Sequence, residues 1–232
     1  APKSAPYFFN HALCLSKKQN LTVIFAAKLF TGLATGKIII ITAPSGSGKT
    51  TLVKRLLEAC PALAFSISAC TRHPRVNEVH GKDYYFYSEE DFRKMVEDNA
   101  FVEWEMVYTG KYYGTLKSEL QRIWDRQQHP LVDIDVKGAL AIHDAYPENS
   151  MSIFIQAPSL EELKRRLQLR GTETDDTLAE RISKAEYELS FADQFDRIIV
   201  NDDLEAATRE LVKTVEAYLS EPALRTSGTD LN

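Results

Sequence analysis

The stretch TAPSGSGKTT, Thr42 to Thr51, holds the residue types that wrap a polyphosphate. Gly46 and Gly48 allow backbone angles and close approach that a Cβ would obstruct, so successive amide N–H groups can turn inward while a helix start adds partial positive charge. Lys49 is placed to reach the terminal phosphates, and the Thr50 hydroxyl to ligate magnesium, which takes hard oxygen donors. Ala43 departs from the pattern GxxxxGK[ST], whose first residue is glycine. Alanine costs little there if φ is ordinary, and on the order of 1 kcal/mol if φ is left-handed. A second cluster follows in SISACTRHPRVNEVHGKDYYF, where Arg72 and Arg75 flank Pro74 between Ser68 and Tyr84. Two guanidiniums held that close make bidentate contacts to a second, smaller phosphate. In FVEWEMVYTGKYYGT, Glu103 sits among apolar neighbours, where a lone carboxylate either pairs with a cation or accepts from a donor edge on a ligand. These residues point to nucleotide binding and leave the reaction open, because loops of this kind serve motors, switches and small-molecule kinases alike.

Such chemistry needs elements to position it. Ile38 to Thr42 reads as a short buried strand, and Lys49 to Ala59 places Leu52, Val53, Leu56 and Leu57 at helical spacing before Pro61. The loop therefore lies between strand and helix, which argues against a chance turn bearing a surface lysine. Later apolar runs, Leu131 to Asp135, Met151 to Gln156 and Arg197 to Val200, read as further strands, each followed by a helical stretch. That alternation predicts a parallel sheet covered on both faces. Asp133 and Asp135 then fall at the carboxyl end of a parallel strand, where ligands sit in such sheets. Two stretches break the pattern. Phe65 to Thr115, rich in aromatics and turn residues with one helix over Glu89 to Asn99, predicts a small β-rich lobe; Leu160 to Phe191 predicts two charged helices meeting at RGTETDD, with Gly171 as a stop and Thr174 as the next start.

A chain of 232 residues, 44% hydrophobic and 26% charged, has the composition of an ordinary soluble globular protein. Three cysteines without CxxC spacing argue against a disulfide framework or thiolate zinc site and favour a reducing compartment, here the cytoplasm. Residues 1 to 41 hold five lysines and no acid, so with a net charge of −5 the remainder carries −10. An acidic body argues against general nucleic-acid binding. The apolar stretch Leu21 to Ala34 is fourteen residues long, is interrupted by Lys28, and is too short to span a bilayer, so no membrane partner is expected. Residues 1–35 are set apart as an extension of unassigned role, read as a tag or a disordered segment, and residues 222–232 as a frayed tail.

From Lys37 to about Glu221 the chain resembles the guanylate kinases of the nucleoside monophosphate kinase group. The family's SxxTRxPRxGE is present as Ser68 to Glu78, with Asn77 in place of the usual glycine. FxEW is Phe101 to Trp104, YYG[ST] is Tyr112 to Thr115, DIDxxG is Asp133 to Gly138, RGTE is Arg170 to Glu173, and NDDL is Asn201 to Leu204. Ala43 is a familiar variant at the first loop position. The resemblance implies an α/β P-loop kinase: a core over residues 36–67, 116–160 and 192–221 with a central parallel sheet flanked by helices, a GMP-binding lobe over 68–115, and a helical lid over 161–191. It implies phosphorylation of GMP by ATP with Mg2+. ATP would be held by Ala43, Pro44, Ser45, Gly46, Ser47, Gly48, Lys49, Thr50, Thr51 and Asn201, and magnesium by Thr50 and, through water, Asp133. The GMP set would be Ser68, Arg72, Arg75, Glu78, Tyr84, Glu103, Tyr113, Thr115 and Asp135. Lys49, Arg75 and the lid arginines Arg170 and Arg181 would stabilise the transferring phosphoryl group. Residue chemistry agrees independently: guanine presents N1–H and an exocyclic amine as adjacent donors that one carboxylate accepts together, whereas adenine would set a lone pair against Glu103. A non-catalytic protein-binding relative, and a kinase for another small molecule, stand as alternatives. Whether the chain is a monomer or a homodimer stays open.

Overall fold

The computed structural model describes residues 36–169 and 175–221. Its centre is a five-stranded, all-parallel sheet in the order β2-β7-β1-β8-β9. The strands are β1 (Ile38–Thr42), β2 (Leu63–Phe65), β7 (His129–Asp133), β8 (Ser150–Gln156) and β9 (Arg197–Val200). Four consecutive isoleucines can build β1 because both faces are covered. Ile39 and Ile41 pack with Leu52 and Leu56 of α1 (Lys49–Ala59) and Leu211 and Val215 of α7 (Leu204–Ser220). Ile38 and Ile40 face the other way, onto Leu120 of α3 (Lys117–Trp124) and Val136, Ala139 and Ile142 of α4 (Val136–Ala145).

A second sheet in the order β4-β3-β6-β5 forms the expected lobe from β3 (Ala69–Cys70), β4 (Tyr85–Phe86), β5 (Phe101–Tyr108) and β6 (Lys111–Leu116). Phe92 of α2 (Glu89–Glu97) fills its small core, stacked 4.4 Å from Phe101, and the Ser88 hydroxyl caps α2 by accepting from the Asp91 amide at 3.0 Å. Helices α5 (Leu160–Leu169) and α6 (Asp175–Leu189) pair through Leu163, Leu167, Ile182 and Ala185.

Helix α1 and strands β1 and β9 have the bounds expected from sequence; β8 starts one residue early at Ser150, α2 ends at Glu97 and not Asn99, and β7 differs at both ends. Strand β7 starts at His129 and not Leu131; Pro130 is tolerated because it pairs only with Ala64 of β2, pairing with β1 beginning one residue later, so the missing N–H interrupts no ladder on that side. The same strand ends at Asp133, which leaves Asp135 as the N-cap of α4, its carboxylate accepting from the Gly138 amide at 2.8 Å. Gly171 and Thr174, expected to punctuate the lid helices, lie outside the described residues. Among the described residues no helix is long and apolar enough to cross a membrane.

Candidate functional site

Strand β1 connects outward toward β2 on one side, while β7 feeds β8 on the other, so the chain reverses direction across the sheet between them. Ligands bind outside the carboxyl ends of strands at such a switch point. Here the residues in question are the loop after β1 and Asp133 at the end of β7. Gly46 and Gly48 both have left-handed backbones, φ +94° and +88°, which an L side chain would strain. Each also faces a close neighbour: Leu163 and Leu167 of α5 lie 3.2 Å from where a Cβ at Gly46 would stand, and the Asn201 amide crowds Gly48. Asn201 Nδ2 donates to the Ser47 carbonyl at 2.8 Å, so the NDDL turn pins the loop from beneath. Arg166, which sequence reading passed over, ties α5 to the same turn by donating to the Asn201 carbonyl at 3.0 Å. Glu162 holds Arg166 from the other side, accepting from its Nε at 2.7 Å.

Ala43 is buried and is not among the described non-glycine residues with positive φ, so the misfit in the loop pattern carries no strain. Replacing it by glycine should therefore lower stability by roughly 0.5–1 kcal/mol through unfolded-state entropy, read as a shifted urea midpoint with unchanged m.

A cavity of about 430 Å³ opens beside this loop and collects much of the expected set. Its wall includes Lys49, Asp133 and Asp135 from the core, with Ser68, Tyr84, Glu103 and Tyr113 from the lobe. Thr115 lies directly across from Glu103 in the β5–β6 ladder and is almost fully buried. Glu103 Oε1 and Thr115 Oγ1 are buried without a protein hydrogen-bond partner, the condition of groups that await a polar ligand. Burial pushes the Glu103 carboxyl up to about 7, with the adjacent Thr115 opposing the rise and the nearby Asp135 carboxylate adding to it. The wall also includes Ile134, the central residue of the DID run, and Phe65, Asp83, Glu105 and Lys184, which the motifs did not mark. Glu105 is engaged by Lys137 at 3.4 Å. Lys184 reaches the site from α6 and lies 3.8 Å from Glu188, whose carboxyl burial pushes upward against the opposing pull of Lys184 and Lys49.

Lys49 Nζ is held 2.5 Å from Asp133 Oδ1, which fixes the amine over the loop. Thr50 and Asp133 also border a common groove on the α1 side, so the two oxygen donors expected for magnesium share one opening.

The expected phosphate arginines are placed less uniformly. Arg72 lies over the Tyr84 ring, 4.8 Å from its centre, and forms a fork with Glu78 at 2.6 and 2.8 Å. Glu78 also accepts the Arg75 amide at 2.7 Å. The Arg72 guanidinium, with that amide, holds the Glu78 carboxyl down at about 2. Glu78 thus orients Arg72 and the Arg75 backbone, while the Arg75 side chain stands exposed on the same loop. Asn77 has φ +78°, which explains glycine at that place in the pattern and why asparagine, the side chain most tolerant of such angles, replaces it. Arg181 lies on α6 and is not part of the cavity wall; Arg170 lies outside the described residues.

The guanylate kinase family model matches residues 35–218. A guanylate kinase of Bacteroides thetaiotaomicron is 50% identical over 186 residues, covering 80% of this chain and 91% of that one. One from Porphyromonas gingivalis is 47% identical over 185 residues, covering 79% and 98%. The crystal structure of guanylate kinase from Anaplasma phagocytophilum superposes with a TM-score of 0.64 at 29% identity, over 82% of this chain and 90% of that one.

Proposed function

The chain belongs to the guanylate kinase family, and from that premise we propose that the cavity beside the loop is where GMP meets ATP. The protein is a kinase that converts ATP and GMP to ADP and GDP. The observation that carries the site assignment is that Lys49 and Glu103 line one cavity. A donor phosphate on the loop and a base read by the lobe are thereby brought together. No support attaches to a non-catalytic role: both loop glycines, Lys49 and Thr50 are present and in place.

In this reading the loop over Ala43 to Thr51, through its backbone N–H groups from Ser45 onward and the start of α1, wraps the ATP phosphates, and Asn201 holds it from below. Glu103 accepts from guanine N1–H and the exocyclic amine, with Ser68, Thr115 and Asp135 completing the base contacts. Arg72, set by Glu78, with Arg75, Tyr84 and Tyr113, holds the GMP phosphate. An oxygen of that phosphate attacks the γ-phosphorus in line, the new P–O bond forming as the bond to ADP breaks. Lys49 and the lid arginines Arg170 and Arg181 stabilise the spreading charge, and closure of α5 and α6 excludes water, which would otherwise take the phosphoryl group. Thr50 would hold magnesium directly and Asp133 through water, which suits an ion that keeps several waters and takes one or two protein oxygens beside substrate phosphates. When bound there it would neutralise charge between the β- and γ-phosphates. A cytoplasmic site of action is supported by Cys60 and Cys70, free and buried among the described residues.

The deciding experiment is a coupled assay of ADP formation with GMP, AMP, UMP and CMP as acceptors. GMP should be the preferred acceptor by orders of magnitude, and AMP phosphorylated as fast as GMP would sink the assignment. Because Glu103 must be ionised to accept guanine's donors, KM for GMP should rise as pH falls below about 7. The limiting slope is about tenfold per pH unit, with a plateau above pH 8. GMP's own phosphate also titrates nearby, so the profile should be compared with that of Glu103→Gln, in which the side chain's contribution disappears.

A further inference from the structure

Glu119 lies in the first turn of α3, outside the cavity and outside every motif, yet it is 2% exposed and makes four strong contacts. Its Oε1 accepts the Ile67 amide at 3.0 Å and its Oε2 accepts the Tyr85 hydroxyl at 2.9 Å. Arg122, one turn on, forks onto both oxygens at 2.7 and 2.6 Å. Ile67 immediately precedes Ser68, and Tyr85 immediately follows Tyr84. The two segments are themselves joined, the Tyr85 amide donating to the Ser68 carbonyl at 2.9 Å. One carboxylate therefore holds the main chain just before Ser68 and the side chain just after Tyr84, two cavity residues expected at the base and at the acceptor phosphate respectively. It does so from α3, which packs on the core sheet through Leu120.

We infer that Glu119, locked by Arg122, is a positioning residue for the acceptor nucleotide: it anchors the Ile67–Ser68 and Tyr84–Tyr85 segments to α3 and so sets the distance of the GMP lobe from the phosphate loop. Arg122 makes this possible, since a carboxylate so buried needs a paired cation to stay ionised and keep accepting. Burial would raise the Glu119 carboxyl, and the Arg122 fork together with the Ile67 and Tyr85 bonds holds it below its ordinary range. The inference rests on the reading of the cavity as the GMP site.

Its signature is a split between substrates, which a general loss of stability would not produce. Steady-state kinetics on the full chain should show Tyr85→Phe raising KM for GMP about fivefold and Glu119→Gln about tenfold or more, with KM for ATP within about twofold of wild type in both. In the double variant the two effects should be less than multiplicative, because both act through one carboxylate. If Glu119→Gln fails to fold, Tyr85→Phe carries the test alone, since it leaves the ion pair and the Ile67 bond in place. Folded variants with unchanged KM for GMP, or with KM for GMP and ATP rising together, would overturn the inference. A wild-type protein that phosphorylates no GMP would instead overturn the assignment of the site, so the two failures are distinguishable.

Discussion

Lys49→Met should lower kcat by roughly a thousandfold or more while leaving KM for GMP within about threefold of wild type. The amine is the one cation that both lines the cavity from the loop side and sits at the start of α1. Asp133 fixes its position at 2.5 Å, so its charge is preorganised beside the loop, where the proposed reaction brings the transferring phosphoryl group. Methionine keeps most of the stem and removes only the charge. Asp133 is left without its partner, yet its side chain is 22% exposed and can be hydrated, so the fold should survive with a small change in melting temperature. The proposed guanine contacts, on the lobe and at Asp135 of the core, do not involve Lys49, hence the expected separation of kcat from KM. A variant retaining kcat within tenfold would mean that the loop amides alone carry the charge.

Glu103→Gln should move two quantities in opposite directions. Specific activity with GMP should fall about a hundred- to thousandfold in kcat/KM, because the amide group can accept from guanine only through its single oxygen and sets a donor against the second N–H. Stability of the protein without substrate should rise at alkaline pH. The folded-state carboxyl titrates near 7 against a reference of 4.5, so between those values the folded protein holds a proton that the unfolded chain releases. Stability accordingly falls as pH rises through that window and is fully reduced above it. Removing the ionisable group should recover roughly 1–3 kcal/mol at pH 8, with the lower end applying because only Oε1 is sealed off while the residue also faces the water of the cavity. Urea unfolding at pH 5 and pH 8 reads this directly: the gap between wild type and variant should open with pH. A carboxylate kept in a site that destabilises the fold is a common mark of function.

Long elements and contiguous motifs were legible in the sequence for physical reasons. The Ile38 run and the Leu52, Val53 and Leu56 spacing report burial on two faces and on one stripe, and SGSGKTT encodes its conformation locally through Gly46 and Gly48. Strands β2, β3 and β4 were not legible individually. At two or three residues they are shorter than any periodicity, and their pairing is set by partners far along the chain. Glu119 was invisible for a related reason: an acid in the first turn of an exposed-looking helix is the ordinary preference, and nothing local says that Ile67 and Tyr85 will converge on it. Lys184, at helical spacing from Glu188, likewise reads as a surface pair until α6 is placed against the cavity. Glu78 was legible as part of a motif, but its task of orienting Arg72 emerged only from the fork geometry.

One carboxylate, Glu103, is proposed to read guanine's pair of donors. Comparing GMP with inosine monophosphate tests it most directly, since the two differ only in the exocyclic amine. Wild-type protein should prefer GMP by about ten- to a hundredfold in kcat/KM, the worth of one hydrogen bond to a charged group, and in Glu103→Gln that preference should collapse to within a few-fold. A preference left intact in the variant would contradict the account, because the amine would then be recognised elsewhere.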